Sequence, residues 1–424
     1  MMRMTTPVPV SLGGSILLLA IAGGGIARPW PALAADRDWQ PTVDFHSLVA
    51  GAWENLPQRQ EIAARQRLAA ARYRAGDALL PDAPYVSGSY VNDKAVGSNY
   101  NYITTQAELG SPVWLPGEGT ATQGVGMADA TAAEAAVEAA HVALASQLLD
   151  LATQVVLSSN ALRIAGRRLA TAQALNSDMM HRLHVGEASQ SDQLAAEADA
   201  ASAAATLSQA EADLAAARAA LAGISGRNAL PRLDAPTGFA GPIDTAGVLA
   251  RHPRLVAGER AVAAAEANAR LVRIQDRDDP QIGVQGTNEK QPGTRWDTRF
   301  GVTLRFSFAT EARNAPRRAA ADQATTQAMV QLAVARREVT VGLSQAAVML
   351  AGAERANAQA ARAADALERR RGQIERAWKL GEMSLIEVVR ADALAFDAAY
   401  ASGKADADLA AARLRMVLAR GIVP

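Results

Sequence analysis

From Arg299 to Phe308 the chain alternates without a break. Phe300, Val302, Leu304, Phe306 and Phe308 fall on one side of an extended backbone, and Arg299, Gly301, Thr303, Arg305 and Ser307 on the other. Strict period two over about ten residues predicts a strand between two unlike environments. Ten residues also suffice for a tilted strand to cross a bilayer. A weaker alternation sets Ile103, Thr105, Ala107 and Leu109 against Tyr102, Thr104, Gln106 and Glu108. Elsewhere the pattern is of another kind. Long alanine-rich stretches at about 122–183 and 315–378 predict very long helices. Each is followed by a glycine turn, at Gly186 and Gly381, and by a returning helix near 190–223 and 385–420. Sixty helical residues reach roughly 90 Å, more than a compact domain needs. Alanine at such density suits close helix–helix packing of the coiled-coil kind.

These elements come twice. His184-Val185-Gly186-Glu187-Ala188-Ser189 matches Lys379-Leu380-Gly381-Glu382-Met383-Ser384, 195 residues on. The same offset carries Asp213–Arg218 onto Asp408–Arg413, and Pro57 and Pro84 match Pro253 and Pro280 at 196. A fixed period of this kind marks an internal repeat. Each half is expected to run helix (45–79 or 245–277), two strands (84–93 and 99–113, or 280–289 and 296–308) and long helical hairpin. Residues 35–223 form the first repeat, 224–244 a Gly/Pro-rich linker and 245–424 the second. Gly117, Gly119, Gly124 and Gly126 read as a breaker ahead of the first long helix.

Composition narrows the function. Of 424 residues, 49% are hydrophobic but only 4% aromatic, which disfavours one large globular core. Basic and acidic residues balance at 43 each, so no charge excess points to nucleic acid. Cysteine is absent, which removes disulfides, thiolate metal sites, cysteine nucleophiles and a lipoprotein anchor. Arg3, the apolar run from Ile16 to Ala22 and Ala32-Leu33-Ala34 read as a signal peptide over 1–34. No further apolar span of about 18 residues is expected, so a membrane crossing has to be made by strands. Four strands cannot close in lipid, where open edges are not tolerated. The chain must therefore oligomerise, and the residues alone leave a dimer and a trimer open. Tyr85, Tyr90, Tyr100, Tyr102 and Trp114 are candidates for an interfacial girdle.

Candidate chemistry is sparse. His181 and His184 stand i, i+3 on a helix and could share a metal ion, with Asp178 as a conceivable third ligand; without a clear third ligand no metal site and no cofactor is assigned. No nucleophile, acid–base or phosphate-binding motif stands out, and no enzyme activity is expected. Gly186 and Gly381 suit helix reversal, Ser189 and Ser384 suit helix N-capping, and Glu187 and Glu382 lie beside the restart.

With these features the chain resembles the TolC-like outer-membrane efflux family over about residues 45–421. The second turn is similar to the family's aromatic-x-x-Gly-x-x-Ser, as Trp378, Gly381 and Ser384. The first keeps Gly186 and Ser189, with Leu183 at the aromatic position. Leu109–Gly117 resembles the first-half lead-in. Phe306-Ser307-Phe308 with Arg313-Asn314 is similar to the second lead-in of the heavy-metal, CzcC-like branch. The resemblance implies a mainly α protein with a small β-barrel contribution. Three copies would share a 12-stranded outer-membrane barrel continued by a periplasmic helical tunnel. It implies a passive duct for small molecules or metal ions, docked to a periplasmic adaptor (membrane fusion protein) and an inner-membrane pump such as an RND transporter. The turns Gly186, Glu187, Ser189, Trp378, Gly381, Glu382 and Ser384 would meet the adaptor. Phe300, Val302, Leu304, Phe306 and Phe308 would face lipid. Asp192 and Glu387, each six residues past a turn glycine, would ring the closed entrance. Met383 stands where the family's gate places an arginine, and Arg390 where a second acid occurs, so Arg390 is a candidate partner of Glu387. The alternatives are a periplasmic coiled-coil adaptor, which would carry one hairpin flanked by larger β domains, and a soluble scaffold, which would not explain Arg299–Phe308.

Overall fold

Proline fixes where the first helix of each half breaks. In the computed structural model, which describes residues 40–94, 100–234 and 244–424, the strand β1 (Gln40–Asp44) leads into α1 (Phe45–Glu54) and α2 (Gln58–Gly76). A single helix over 45–79 is expected from the sequence, but the chain turns at Asn55–Pro57. The second half does the same with α5 (Thr245–Arg251) and α6 (Pro253–Ile274) in place of one helix over 245–277. His252, just before Pro253, is extended at φ −64° and ψ 123°, because the proline ring excludes the helical conformation from the residue before it. The His252 ring nitrogen Nδ1 then caps α6 by accepting from the Arg254 N–H at 3.2 Å.

Between the helices of each half comes a hairpin. The strands β2 (Tyr85–Asn92), β3 (Ile103–Pro112), β5 (Gln281–Lys290) and β6 (Asp297–Arg305) form one antiparallel sheet in the order β2-β3-β5-β6. The central β3–β5 ladder joins the two halves, from Ile103 opposite Lys290 to Pro112 opposite Gln281. The expected linker contributes a strand of its own. Ala229–Arg232 (β4) pairs in parallel with β1. Its short alternation, Ala229 and Pro231 inward, is hidden among the prolines. The expected signal peptide and the linker residues Pro236 to Pro242 lie outside the described residues.

Four helices then carry the length. α3 (Glu118–His184) has 67 residues and α7 (Glu311–Lys379) has 69, so each runs on the order of 100 Å. α4 (Gln190–Ser225) returns along α3, and α8 (Leu385–Ala419) along α7. Side by side they form a layer in the order α4-α3-α8-α7, with α2 and α6 packed on α3 near the sheet. The main core lies where α1, α3, α4 and α8 meet, around Phe45, Leu48, Leu148, Leu149, Leu221 and Leu414. That packing accounts for a feature contrary to expectation. One window of α3 is apolar and long enough to cross a membrane by length and composition alone, but 44% of it is buried in the protein.

The glycine cluster is not a breaker. Only Gly117 precedes α3; Gly119, Gly124 and Gly126 lie inside it. A Cβ at Gly126 would come within 2.5 Å of the Tyr73 amide nitrogen and 2.9 Å of the Ala69 oxygen. The two backbones approach too closely for any side chain there. Gly124, one turn-fraction away, faces open space. Gly126→Ala should therefore destabilise by about 1–3 kcal/mol through overpacking. Gly124→Ala should stabilise by about 0.5–1 kcal/mol, since it relieves only the helix cost of glycine. Thermal melts of the two variants compare them directly, and equal shifts would contradict the close approach.

The junction of sheet and helices holds a buried acid. Glu118 is 3% exposed. Its carboxylate accepts from the Leu115 N–H at 3.2 Å and from Gln275 Nε2 at 2.7 Å. Asp279, just before β5, shares a hydrogen bond with Glu118, and its pKa is raised to about 7. Burial is the main cause, followed by that bond and by the charges of Glu118, Asp278 and Asp82. Arg313 of α7 pairs with Asp278, and among the described residues Asp279 has no counter-ion of its own. Unfolding would release Asp279 to ionise near the ordinary carboxylate value of about 4. The folded chain thus binds the extra proton between about pH 4 and 7, and stability falls as pH rises through that window, then levels off. Asp279→Asn should flatten this slope in melts recorded from pH 4 to 8.

Candidate functional site

The four-stranded sheet carries two opposite surfaces. Val86, Leu109, Val284 and Val302 are successive cross-strand partners and form one apolar row across all four strands. They are 77%, 59%, 56% and 72% exposed. Ile282 and Leu304 extend the row on one side. Phe300, opposite Gly286, extends it on the other. On the reverse face Glu108 accepts from Thr303 Oγ1 at 2.7 Å and from the Tyr85 hydroxyl at 3.1 Å. Arg299 pairs with Glu289 at 3.1 Å and Asp297 at 2.8 Å, and Gln285 donates to Thr287 at 3.1 Å. The sheet thus hydrogen-bonds one face internally and bares apolar side chains on the other. Its edge strands β2 and β6 each pair on one side only.

Two expectations need correction here. The strand stops at Arg305, so Phe306 and Phe308 are exposed but lie beyond it. The reason is the partner: Arg305 faces Gln281, the first residue of β5, and Pro280 before it has no N–H to continue the ladder. The aromatic girdle is also smaller. Tyr85 belongs to the polar face, and the Trp114 ring nitrogen donates to the Ala78 oxygen at 2.9 Å beneath the sheet. Tyr90, Tyr100 and Tyr102 remain toward the hairpin loops. Trp296 joins them, 49% exposed and with Lys290 Nζ 5.6 Å from its ring centroid. A tryptophan directly before a strand was the available sequence signal for it.

At the far end both hairpins reverse through the same device. Gly186 and Gly381 have φ of 81° and 80°. The Glu187 N–H bonds the Arg182 oxygen and the Glu382 N–H bonds the Ala377 oxygen, at 2.8 and 2.9 Å. These six-residue closures are Schellman motifs. The restarts differ. Ser189 Oγ accepts from the Asp192 N–H at 3.1 Å and donates to the Asp192 carboxylate at 2.8 Å. Ser384 makes no side-chain cap, contrary to expectation; only its carbonyl receives the Glu387 and Val388 N–H groups. Glu387 pairs with Arg390 at 3.0 Å.

Trp378 is not presented to a partner. It is 9% exposed and packs with Leu175, Met179, Ile374, Leu385 and Val388 in a core shared by both hairpins. Arg182 of α3 lies over its ring, 4.4 Å from the centroid. Arg371 of α7 reaches Asp392 of α8 at 3.6 Å. Burial raises the Asp392 pKa, with Arg371 opposing it. Sequence reasoning missed both arginines, since their partners are distant in the chain or appear only once helices pack. His181 and His184 are exposed, and Asp178 is engaged by Arg182 at 3.1 Å. Among the described residues no three potential ligands gather.

Neither protein-family models nor curated proteins give a match to this sequence. Solved structures do. A membrane protein from Pseudomonas aeruginosa is similar with a TM-score of 0.72 and 16% identity, over 89% of this chain and 90% of that one. The CmeC outer membrane channel of Campylobacter jejuni follows with a TM-score of 0.70 and 15% identity, over 89% and 85%. The open-state MtrE outer membrane channel of Neisseria gonorrhoeae has a TM-score of 0.67 and 19% identity, over 89% and 88%. At such identities the likeness speaks for the fold alone: this chain shares the fold of these outer membrane channels.

Proposed function

We propose that this chain is the outer-membrane channel subunit of a tripartite efflux or secretion system. It acts as a passive duct that meets a periplasmic adaptor and an inner-membrane pump. The observation that carries the reading is the exposed row Val86–Leu109–Val284–Val302, backed by a hydrogen-bonded polar face. Alternate residues facing lipid and lumen are what a membrane strand requires. A soluble scaffold or a periplasmic adaptor has no use for that band. The free edges of β2 and β6 must be satisfied within lipid. Three copies joined edge to edge give a closed barrel of twelve strands, each copy built from the repeats 35–223 and 245–424. A leader over 1–34 would direct export across the inner membrane.

Phe300, Val302 and Leu304 face the hydrocarbon in this reading, and Thr303 faces the lumen beside Glu108. Val302→Arg should cost about 2–4 kcal/mol near the bilayer midplane and reduce barrel assembly. Thr303→Arg should be tolerated, because Glu108 offers it a partner. Comparing heated and unheated gel migration of the two variants tests this; equal tolerance would reverse or dismiss the facing.

Gly186, Glu187, Ser189, Gly381, Glu382 and Ser384 form the end that meets the adaptor. Asp192 and Glu387 sit one turn inside it, and a trimer brings six carboxylates toward one axis. Such a ring favours cations and binds divalent ions. In single-channel recordings, Asp192→Asn with Glu387→Gln should weaken cation selectivity. It should also abolish block by divalent cations added from the turn side. Unchanged selectivity and block would leave Asp192 as a helix cap and Glu387 as the local partner of Arg390.

A further inference from the structure

Where the sheet meets the helices, the two halves of the chain set polar side chains at matching positions. Pro84 and Pro280 stand 196 residues apart, and the same step carries Asp82 onto Asp278 and Glu118 onto Asn314 (314 − 118 = 196). Glu118 opens α3 and is 3% exposed; Asn314 lies in the first turn of α7 and is 4% exposed. One loop, from Gln275 to Asp279, holds both. Gln275 Nε2 donates to Glu118 at 2.7 Å, the Asp276 carbonyl accepts from Asn314 Nδ2 at 2.6 Å, and the Asp279 carboxyl shares a hydrogen bond with Glu118.

Two features of this junction find no partner inside the chain. The bond from Nδ2 settles which way the Asn314 amide points. Its Oδ1 therefore lies against the loop that also holds Glu118 and Asp279. That oxygen is buried and receives no hydrogen bond among the described residues. A buried acceptor without a donor is rare and points to a water or an ion. The second feature is charge. Glu118 and Asp279 meet carboxyl to carboxyl, while the arginines nearby are turned to other groups. Arg313 pairs with Asp278, Arg318 with Glu311 at 2.6 Å and Arg277 with Asp276 at 2.9 Å. Arg317 reaches only the Gln275 carbonyl, at 3.5 Å. Asp82 is close enough for its charge to act on Asp279, and it has no ion-pair partner among the described residues.

We propose that Glu118, Asp279 and Asn314 Oδ1 bind one calcium ion at this junction. The set is two carboxylates and an amide oxygen, not the three acidic or imidazole groups that gather nowhere among the described residues. All three are hard oxygen donors. Calcium takes about six to eight oxygens in irregular arrangements that include amides and carbonyls, whereas magnesium keeps a near-octahedral shell rich in water. The burial of Glu118 and Asn314 leaves little room for such a shell. Asp279 is half-buried and gives the ion its way in from solvent. The ion takes the place of a shared proton between the carboxyls. It also pins three segments at one point: the start of α3, the lead-in to β5 and the start of α7. The site lies within one chain and stands apart from the oligomeric reading above.

The test is calcium binding and thermal unfolding of the full chain in detergent at about pH 8, where both carboxyls have lost their protons. Asp192→Asn and Glu387→Gln are present throughout, so that the carboxylates at the turns bind nothing. After chelator treatment, equilibrium dialysis should find one calcium per chain. About 1 mM calcium should raise Tm by about 2 °C or more, and magnesium at the same level should leave it unchanged. Asp279→Asn should melt no lower than its parent in chelator, since it removes a like charge beside Glu118. It should nevertheless bind calcium about tenfold more weakly or worse and lose the shift, a pairing that misfolding cannot produce. Asn314→Asp sets a third carboxylate on the ion. It should melt lower in chelator and gain a larger shift from calcium. No bound calcium in the parent, an equal shift with magnesium, or an undiminished shift in Asp279→Asn overturns the site. A shift in Asn314→Asp no larger than that of its parent overturns Asn314 as a ligand.

Discussion

Close approach of helix backbones to α3 organises this protein. α3 contacts α1, α2, α4, α6 and α8, and no other element touches as many. Such crowding around one helix is possible only if its surface is small. Gly126 lets α2 come to backbone contact, and Ala145 and Ala152 are fully buried where α1, α4 and α8 converge. Dispersion at close range substitutes for the large aromatic payload that the chain lacks. The same economy explains the length of the helices. With small side chains and few aromatics, stability has to be collected along a long contact and not in one thick core.

Two rigid regions bound that contact. Near the sheet, Glu118 ties the start of α3 to the Leu115 amide and to the end of α6 through Gln275, and the Val113 N–H bonds the Pro280 oxygen at 2.8 Å. Both strand lead-ins are thereby fastened to the helices beneath. At the opposite end the core around Trp378, capped by Arg182, locks the two hairpins together. Between them the buried residues of α8 are Ala395 and Ala407. Any motion that separates the hairpins must break the tip core first, and Trp378 lies inside that core.

The tips also show how near-identical turns become different. Both use a left-handed glycine and the same closure. Ser189 caps α4 with its side chain and holds Asp192, whereas Ser384 leaves its hydroxyl unused and Glu387 turns to Arg390. Beyond the shared closure, the second restart adds an ion pair that salt screens and the first a local hydrogen bond that salt leaves alone.

Much of this was legible in the chain itself. The long helices, their reversal points and the facing of β6 follow from local periodicity and from the conformational demands of Gly186 and Gly381. Such features depend on neighbours within a few residues, so the sequence determines them alone. The doubled order of elements was readable for the same reason. Other features arise only from contacts across the fold. The end of β6 at Arg305 depends on where β5 begins; its own alternation runs on to Phe308. The breaker reading of Gly119 to Gly126 failed because α2 packs there, and the pairing of β4 with β1 joins residues about 190 apart in number. Burial of Trp378, the Arg182 stack and the hydrogen bond between Glu118 and Asp279 likewise need two distant segments in one place. Periodicity assigns each residue to a face; which surface that face meets is decided by packing.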